Sequence, residues 1–245
     1  MKQIVVLSAL LVVLGLAACA GSKRAGESKP AAPVSVSMVP QEAAAPQAAA
    51  PFRLIAPRLP KPPKVDGRLD DEAWVAASIR RGKVVVDLNE SATGLAPCPR
   101  VAYLGYDKDA IYVAFVIMSE KKLTANEKDG GEIWNDDEGE IFLQPKKGGP
   151  YLQVCVNAAG AKYTEIKDGE VPGWKLDQIR AVGGRTGIAT VIEVVIPFPG
   201  PAPASGTVWR VNLAGHESES GIWLTTSPTS GSFHDPDSFT EMVFE

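Results

Sequence analysis

Acidic and aromatic side chains are concentrated in the segment Ile133–Leu143, which is the strongest chemical signal in the sequence. In an extended strand Glu138, Glu140 and Phe142 would share one face, because strand side chains alternate. Charged groups are rarely buried without partners, so these acids face water, bind a cation or accept hydrogen bonds from a polyhydroxylated ligand. The segment with its preceding Trp134 therefore predicts a binding edge. A solvated edge beside a core strand is the alternative.

Groups that could support catalysis are few. His216 and His234 are the only histidines, and the sequence has no Gly-x-Ser-x-Gly, no His-Glu-x-x-His and no glycine-rich phosphate loop. Two carboxylates could in principle hydrolyse glycosides, but nothing singles out one pair among the many acids. His234 precedes Asp235-Pro236, which favours a turn-stabilising role. We therefore expect that the protein is not an enzyme.

Residues 1–18 have the pattern of a secretory signal peptide. A short basic start leads into the apolar run Ile4–Leu16, which is too short for a comfortable transmembrane span. The run ends Leu-Ala-Ala-Cys, which resembles the bacterial lipobox and implies that Cys19 is acylated and becomes the mature N-terminus. With Ala20 in place of aspartate, this resemblance implies a periplasmic or cell-surface lipoprotein, sorted to the outer membrane where the cell has two membranes. An ordinary signal peptide with an incidental cysteine is the alternative.

The remaining chain divides by composition. Residues 19–56 are rich in Ala and Pro and poor in large apolar residues, which predicts a disordered tether. Residues 57–245 are enough for one domain with a full core. The 245-residue chain has a net charge of −4 and no Lys/Arg stripe, which argues against nucleic acid as a partner. A protein partner cannot be named from the sequence.

Two cysteines remain once Cys19 is assigned to a lipid. Cys98 and Cys155 would lie in a compartment that permits disulfides, so we predict a bridge between them. Two buried free thiols are the alternative, because the sequence does not show whether the residues approach within bonding geometry.

Nearly all of the folded region reads as β-strand. Two hairpins are indicated by alternating apolar residues around acidic or Asn/Gly turns, and further strands follow toward the C-terminus. The hairpins are predicted at residues 100–118 and 151–166, and the later strands at residues 188–196, 207–214 and 239–244. A helical turn at Leu69–Trp74 is the one exception, with Asp70 as its cap. The pattern predicts an all-β, two-sheet sandwich.

Several segments resemble, in order, the carbohydrate-binding module family 9-like domain, which is related to the DOMON domain. They are Lys64–Trp74, Tyr106–Phe115, Trp134–Phe142, Ile192–Phe198, Trp209–Asn212 and Phe233–Phe239. Each motif is weak alone, but the six cover essentially all of residues 57–245. The resemblance implies an immunoglobulin-like or jelly-roll-like β-sandwich. It also implies that a saccharide is held between two tryptophans, as in the sugar-binding members of the family.

The resemblance also suggests which side chains would hold the sugar. Trp134 matches the first tryptophan of the slot and Glu140 the carboxylate at its rim. For the second wall Trp223 is preferred over Trp174, with a buried strand as the alternative for Trp223. Further candidate rim donors are Gln153, Lys162 and Asn212. The family uses arginines as rim cations, whereas the nearest position here holds a lysine. Trp74 and Trp209 are expected in the core.

Structural calcium is common in this family and is a prediction here. Its candidate ligands are the aspartates that could offer carboxylate oxygens, namely Asp66, Asp70, Asp136 and Asp137. No EF-hand spacing is present, and capping or turn formation accounts for the first two equally well.

Two other functions fit the same fold. Related sandwich domains bind haem through axial methionine with histidine or lysine, and Met118 and Met242 lie in predicted strands, although strand methionines usually fill a core. The domain could instead be a surface scaffold without sugar binding. Visible absorbance distinguishes haem binding from the other two functions, and glycan titration distinguishes a sugar-binding module from a scaffold.

Overall fold

The computed structural model describes residues 52–245, and the fold is all-β. Its strands are β1 (Arg53–Ala56), β2 (Lys83–Asn89), β3 (Leu95–Tyr106), β4 (Ala110–Met118), β5 (Glu138–Gln144), β6 (Tyr151–Asn157), β7 (Lys162–Lys167), β8 (Arg180–Thr186), β9 (Ala189–Pro197), β10 (Val208–Glu217), β11 (Ile222–Thr225) and β12 (Thr240–Phe244). Helix α1 spans Glu72–Ile79, and short 3-10 helices span Ile133–Asn135 and Leu176–Gln178.

Predictions on the N-terminal residues lie outside the described range. These are the signal peptide at residues 1–18, the lipidation of Cys19 and the tether up to residue 51. Within residues 52–245, none of the helices has both the length and the apolar character needed to cross a bilayer.

The strands form two layers that are joined at one side. Hydrogen-bonded neighbours follow the order β7-β6-β5-β10-β11-β2-β3-β4-β9-β8, with β12 added beside β10 and β1 beside β12. Ile141 and Leu213 from one layer share a single buried cluster with Leu104, Val113 and Ile192 from the other. This cluster is the core of a sandwich, which confirms the predicted fold class.

Both predicted hairpins are confirmed, because each has a turn that its sequence stabilises. In the first, the Asp107 side chain accepts hydrogen bonds from the backbone N–H groups of Asp109 and Ala110, at 2.8 and 3.0 Å. In the second, Asn157 accepts from Ala159 and Ala161 at 3.1 and 2.9 Å. Such Asx turns fix the reversal between antiparallel strands.

Helix α1 covers the outer face of the β3-β4-β9 layer. Its N-cap is Asp71, whose carboxylate accepts from the backbone N–H groups of Ala73 and Trp74, so the prediction of Asp70 as the cap is wrong by one residue. Trp74 packs among apolar residues of this layer, and Trp209 is buried in the core between the layers, as predicted for both tryptophans.

Two strands differ from the sequence prediction, one in where the folded region begins and one in its position in the sheet. Arg53–Ala56 was expected in the tether but forms β1, which pairs in parallel with β12. Strand β5 was expected at an edge but lies between β6 and β10. Glu138 and Glu140 are consequently buried, at 0 % and 3 % exposure, so the alternative of a solvated edge does not describe this strand.

A pair of glycines on β5 and β10 makes room for large side chains inside the sandwich. Gly139 and Gly215 are register partners. A Cβ at Gly139 would lie 2.5 Å from the Phe115 ring, and one at Gly215 would lie 2.5 Å from the Arg100 guanidinium. The buried Arg100 donates to the backbone carbonyls of Glu138 and His216. The glycines therefore let Phe115 and Arg100 pack directly against the backbone of these strands.

Gly139→Ala should destabilise the fold by about 1–3 kcal/mol, because the added methyl group overpacks the Phe115 ring. Urea denaturation monitored by circular dichroism measures the loss. Gly200→Ala is the matched control, since a Cβ there meets nothing within 4 Å. Equal stability of the two variants would contradict this account of the glycine pair.

Candidate binding site

A cavity of about 370 Å³ opens on the outer face of the layer that contains β5, β6 and β7. Its aromatic lining consists of Trp134, Tyr163, Trp223 and Phe233. The volume falls within the range of ligand sites, roughly 300–1,000 Å³. We refer to it as the aromatic cavity. Four of the residues predicted to bind a ligand line it, namely Trp134, Glu140, Gln153 and Trp223.

Trp134 is held by the short 3-10 helix before β5. Its ring meets Tyr163 of β7 edge to face, with centroids 5.4 Å apart. The helix is fixed by Asp136, whose carboxylate accepts from the backbone N–H groups of Asn126 and Glu127 at 2.9 and 2.8 Å, and from the Asn157 amide at 2.9 Å. These hydrogen bonds therefore fix the backbone that carries Trp134.

Trp223 of β11 forms another part of the cavity wall, and two other rings pack against it. Its indole stacks on the His216 imidazole, with centroids 3.9 Å apart and planes at 15°. Phe233 meets it edge to face at 5.8 Å. Burial lowers the pKa of His216, which favours the neutral imidazole in this stack. Nδ1 of His216 also lies 3.2 Å from the carbonyl oxygen of Asp136, so the supports of the two tryptophans are in contact.

The polar floor comes from alternate residues of two adjacent strands. Glu140 on β5 and Gln153 on β6 both line the cavity. Gln153 is the register partner of Phe142, which lies two residues from Glu140, so the three side chains share one face of the layer. Burial raises the pKa of Glu140 to about 7. The floor therefore offers a carboxyl and an amide, which together can donate and accept hydrogen bonds.

The rim was not foreseen from the sequence. Tyr163, Glu165 and Lys167 alternate along β7 and line the cavity. The Tyr163 hydroxyl donates to Glu165 at 2.5 Å, and Lys167 forms an ion pair with the same carboxylate. His234 lies near the opening, 2.8 Å from the Tyr151 hydroxyl. The period-2 pattern of Tyr163, Glu165 and Lys167 was the signal that could have found this rim.

Two predicted rim donors lie elsewhere. Lys162 is adjacent to Tyr163 and therefore points to the other face of β7, where its ammonium pairs with Asp129 at 3.2 Å. Asn212 is fully buried, and its Oδ1 accepts from the Thr225 hydroxyl at 2.7 Å and the Ser227 backbone N–H at 3.2 Å. Asn212 thus fixes the chain that follows β11 and does not line the cavity.

The four aspartates predicted as calcium ligands do not form one site. Asp66 and Asp70 pair with Lys64 and Arg68, at 2.5 and 2.8 Å. Asp137 accepts from the backbone N–H groups of Thr124 and Ser218, at 2.6 and 3.1 Å, and Asp136 supports Trp134 as described above. Within residues 52–245, none of the four belongs to a group of three or more side chains that could share a metal ion. As a set they do not fit calcium.

The predicted disulfide is wrong, since both cysteines in the described region are free. The Cys98 thiol donates to Glu217 at 3.1 Å, and the buried Cys155 thiol donates to Glu138 at 3.4 Å. Cys98 lies on β3 and Cys155 on β6, which belong to different layers of the sandwich. The alternative of unbridged thiols therefore describes this pair.

A non-reducing proteolytic digest should yield Cys98 and Cys155 in separate peptides. The melting temperature should also be the same with and without dithiothreitol, because no covalent loop constrains the unfolded chain. Mass spectrometry and a thermal melt measure these two outcomes. A cross-linked peptide that disappears on reduction would contradict the arrangement.

The candidate haem ligands are not brought together. Met118 is 63 % exposed at the end of β4, whereas Met242 is fully buried in the main core. Trp174, the less favoured candidate for the second wall, is buried with Trp209, their ring centroids 6.2 Å apart. Neither methionine lines the aromatic cavity.

No family model matches the chain, and no curated protein sequence matches it either. Solved structures do resemble it. A carbohydrate-binding module of family 9 from Caldicellulosiruptor kristjanssonii in complex with cellotriose aligns with a TM-score of 0.61 at 16 % identity, covering 79 % of this chain and 94 % of that one. A family 9 module from the same organism in complex with glucose aligns with a TM-score of 0.60 at 16 % identity, covering 79 % of this chain and 96 % of that one.

A protein of Bacteroides uniformis ATCC 8492, to which carbohydrate binding has been ascribed, aligns with a TM-score of 0.63 at 15 % identity. The alignment covers 80 % of this chain and all of that one. At such low identity the likeness concerns the fold. Residues 52–245 thus have a β-sandwich similar to that of carbohydrate-binding module family 9, as the sequence motifs predicted.

Proposed function

We propose that this chain is a carbohydrate-binding protein that holds a saccharide in the aromatic cavity between Trp134 and Trp223. The observation that carries the proposal is that two tryptophans, each braced by a second ring, line one cavity that has a carboxyl and an amide at its floor. The similar structures with bound cellotriose and glucose support the same class of ligand.

A sugar ring suits this lining for a physical reason. Its axial C–H groups make the ring faces apolar enough to pack on indoles, while its hydroxyls need hydrogen bonds around the edge. Glu140 and Gln153 supply such groups at the floor, and the rim adds Glu165 and Lys167. We propose binding without catalysis. The His216 imidazole stacks on Trp223, and no second group is assigned to act with Glu140 in a reaction.

The N-terminal predictions complete the proposal. A signal peptide at residues 1–18, a lipid on Cys19 and an Ala/Pro-rich tether would hold the sandwich outside the cytoplasm and away from the membrane surface. Labelling cells with a palmitate analogue and comparing Cys19→Ser with the parent tests this part. Equal labelling of both would contradict lipidation at Cys19.

Isothermal titration of the full chain tests the binding proposal. The panel contains glucose, cello-oligosaccharides and other mono- and oligosaccharides, each with and without calcium. We expect saturable heat with at least one sugar. Silence across the panel would overturn the proposal and favour the scaffold alternative. A change on adding calcium would test the calcium prediction separately.

A further inference from the structure

A compact group of three potential metal ligands lies beside the floor of the aromatic cavity. Glu138 and Glu140 are two residues apart on β5 and so point to the same face, and Cys155 on β6 is the register partner of Glu140. One ligand atom from each of these three side chains lies within 4.8 Å of the others.

These side chains are buried, and one oxygen lacks a partner. Exposure is 0 % for Glu138 and Cys155 and 3 % for Glu140. Among residues 52–245, Oε1 of Glu138 has no hydrogen-bond partner although it is inaccessible to water. Taking an unpaired carboxylate out of water costs several kcal/mol. Burial raises the pKa of Glu138, Glu140 and Cys155 above their ordinary values.

The neighbouring cation does not supply the missing partner. Arg100 is buried close by, but its guanidinium donates to the backbone carbonyls of Glu138 and His216. Its charge attracts the carboxylate of Glu138 and, more weakly, those of Asp137 and Glu217, but no hydrogen bond joins it to Oε1 of Glu138. Oε1 of Glu138 thus has no hydrogen-bond partner within residues 52–245, and it lies beside Glu140, which lines the cavity.

We propose that Glu138, Glu140 and Cys155 bind a soft or borderline divalent metal ion, with Zn²⁺ as the best fit. Zinc accepts mixed thiolate and carboxylate ligands, whereas calcium takes six to eight oxygens. Zn–S and Zn–O bonds of about 2.3 and 2.1 Å at a tetrahedral angle place S and O about 3.6 Å apart. The Cys155 Sγ to Glu138 Oε2 distance is 3.4 Å.

The geometry leaves one tetrahedral position for an outside ligand. Glu140 lines the aromatic cavity, so this fourth position would be reached from there. Water or a ligand hydroxyl could occupy it. Binding would displace protons from the thiol and the carboxyl groups, since metal ligands must be deprotonated. The site stands on its own geometry and does not depend on the proposed saccharide function.

Zinc titration of the chelator-treated full chain, kept reduced, tests the proposal. Calorimetry should give one tight Zn²⁺ site whose heat varies with the ionisation enthalpy of the buffer, because protons are released. With Co²⁺ as the probe, a thiolate-to-metal charge-transfer band should appear in the near ultraviolet. Cys155→Ser should remove the band and Glu138→Gln should remove tight Zn²⁺ binding.

Cys98→Ser and Phe52→Ala are the controls that should keep the metal site. Cys98 is a free thiol on another strand, and Phe52 is an exposed aromatic residue that lies outside both the cavity and the metal cluster. Circular dichroism verifies that each variant is folded. The proposal fails if the parent binds no Zn²⁺, if Cys155→Ser binds as tightly as the parent, or if Cys98→Ser loses the band. Metal binding without sugar binding would refute only the function proposed above.

Discussion

Trp134→Ala should weaken saccharide binding by about 30- to 150-fold, because a buried aromatic contact contributes about 2–3 kcal/mol to affinity. The ring packs edge to face on Tyr163 and remains partly accessible from the cavity. Its neighbours Asp136 and Asp137 retain their backbone hydrogen bonds when the indole is removed. The loss should therefore appear in affinity and leave the fold intact.

Calorimetric titration of the parent and the variant measures this loss. Phe52→Ala is the matched control, because Phe52 is a 70 % exposed aromatic that does not line the cavity. Trp223→Ala should weaken binding to a similar extent. Equal affinity of Trp134→Ala and the parent would remove Trp134 from the site, even if the protein binds sugar elsewhere.

Glu193→Ala should destabilise the fold by about 3–5 kcal/mol, because it leaves several buried donors without their acceptor. One oxygen of Glu193 accepts from the backbone N–H groups of Asp66, Gly67 and Arg68, at 2.9, 2.6 and 3.2 Å. The other accepts from Nε1 of Trp74 at 2.7 Å. This single carboxylate therefore fixes the loop before α1 and the aromatic anchor of that helix on β9.

Guanidinium denaturation of the full chain gives the change in the free energy of unfolding. Glu219→Ala is a suitable comparison, since its ion pair with Lys121 is exposed on both sides and should contribute less than about 1 kcal/mol. Glu193→Gln should fall between the parent and Glu193→Ala, because the amide keeps one acceptor but turns a donor toward the other N–H groups. A loss below about 1 kcal/mol for Glu193→Ala would contradict the assigned role.

Glu193 also explains why the sequence motifs were informative. The segments Lys64–Trp74 and Ile192–Phe198 are more than a hundred residues apart, yet the first supplies the donors and the second the acceptor of one buried network. Read alone, each segment predicts only a turn or an apolar strand. The two together are specific for this fold, because the Glu193 carboxylate and its donors can be buried only when both segments are present.

Other elements could not be read from local pattern. Strand β8 contains Gly183 and Gly184, which lack strand propensity, and their place is set by the close approach of Ala158 and Gly67. Strand β1 follows an Ala/Pro-rich stretch and exists because β12 offers it a hydrogen-bonding edge. Both depend on partners distant in the sequence.

The residues of the site likewise fall into those that the sequence predicted and those that it did not. Trp134, Glu140, Gln153 and Trp223 were named from the sequence and line one cavity. Lys162 was named in place of Lys167, because choosing the face of a strand requires the parity of its pairing. Two of the four aspartates named as metal ligands, Asp136 and Asp137, accept backbone hydrogen bonds from residues 124–127, a segment whose path has no periodic signal in the sequence.

The proposal that a saccharide lies between Trp134 and Trp223 is tested most directly by a crystal structure of the chain soaked with cellotriose or glucose. The account predicts a sugar ring in the aromatic cavity, packed on at least one of these indoles, with hydroxyls within hydrogen-bond distance of Glu140 and Gln153. Sugar bound at another surface, or a cavity that stays free of sugar at saturating concentration, would contradict it.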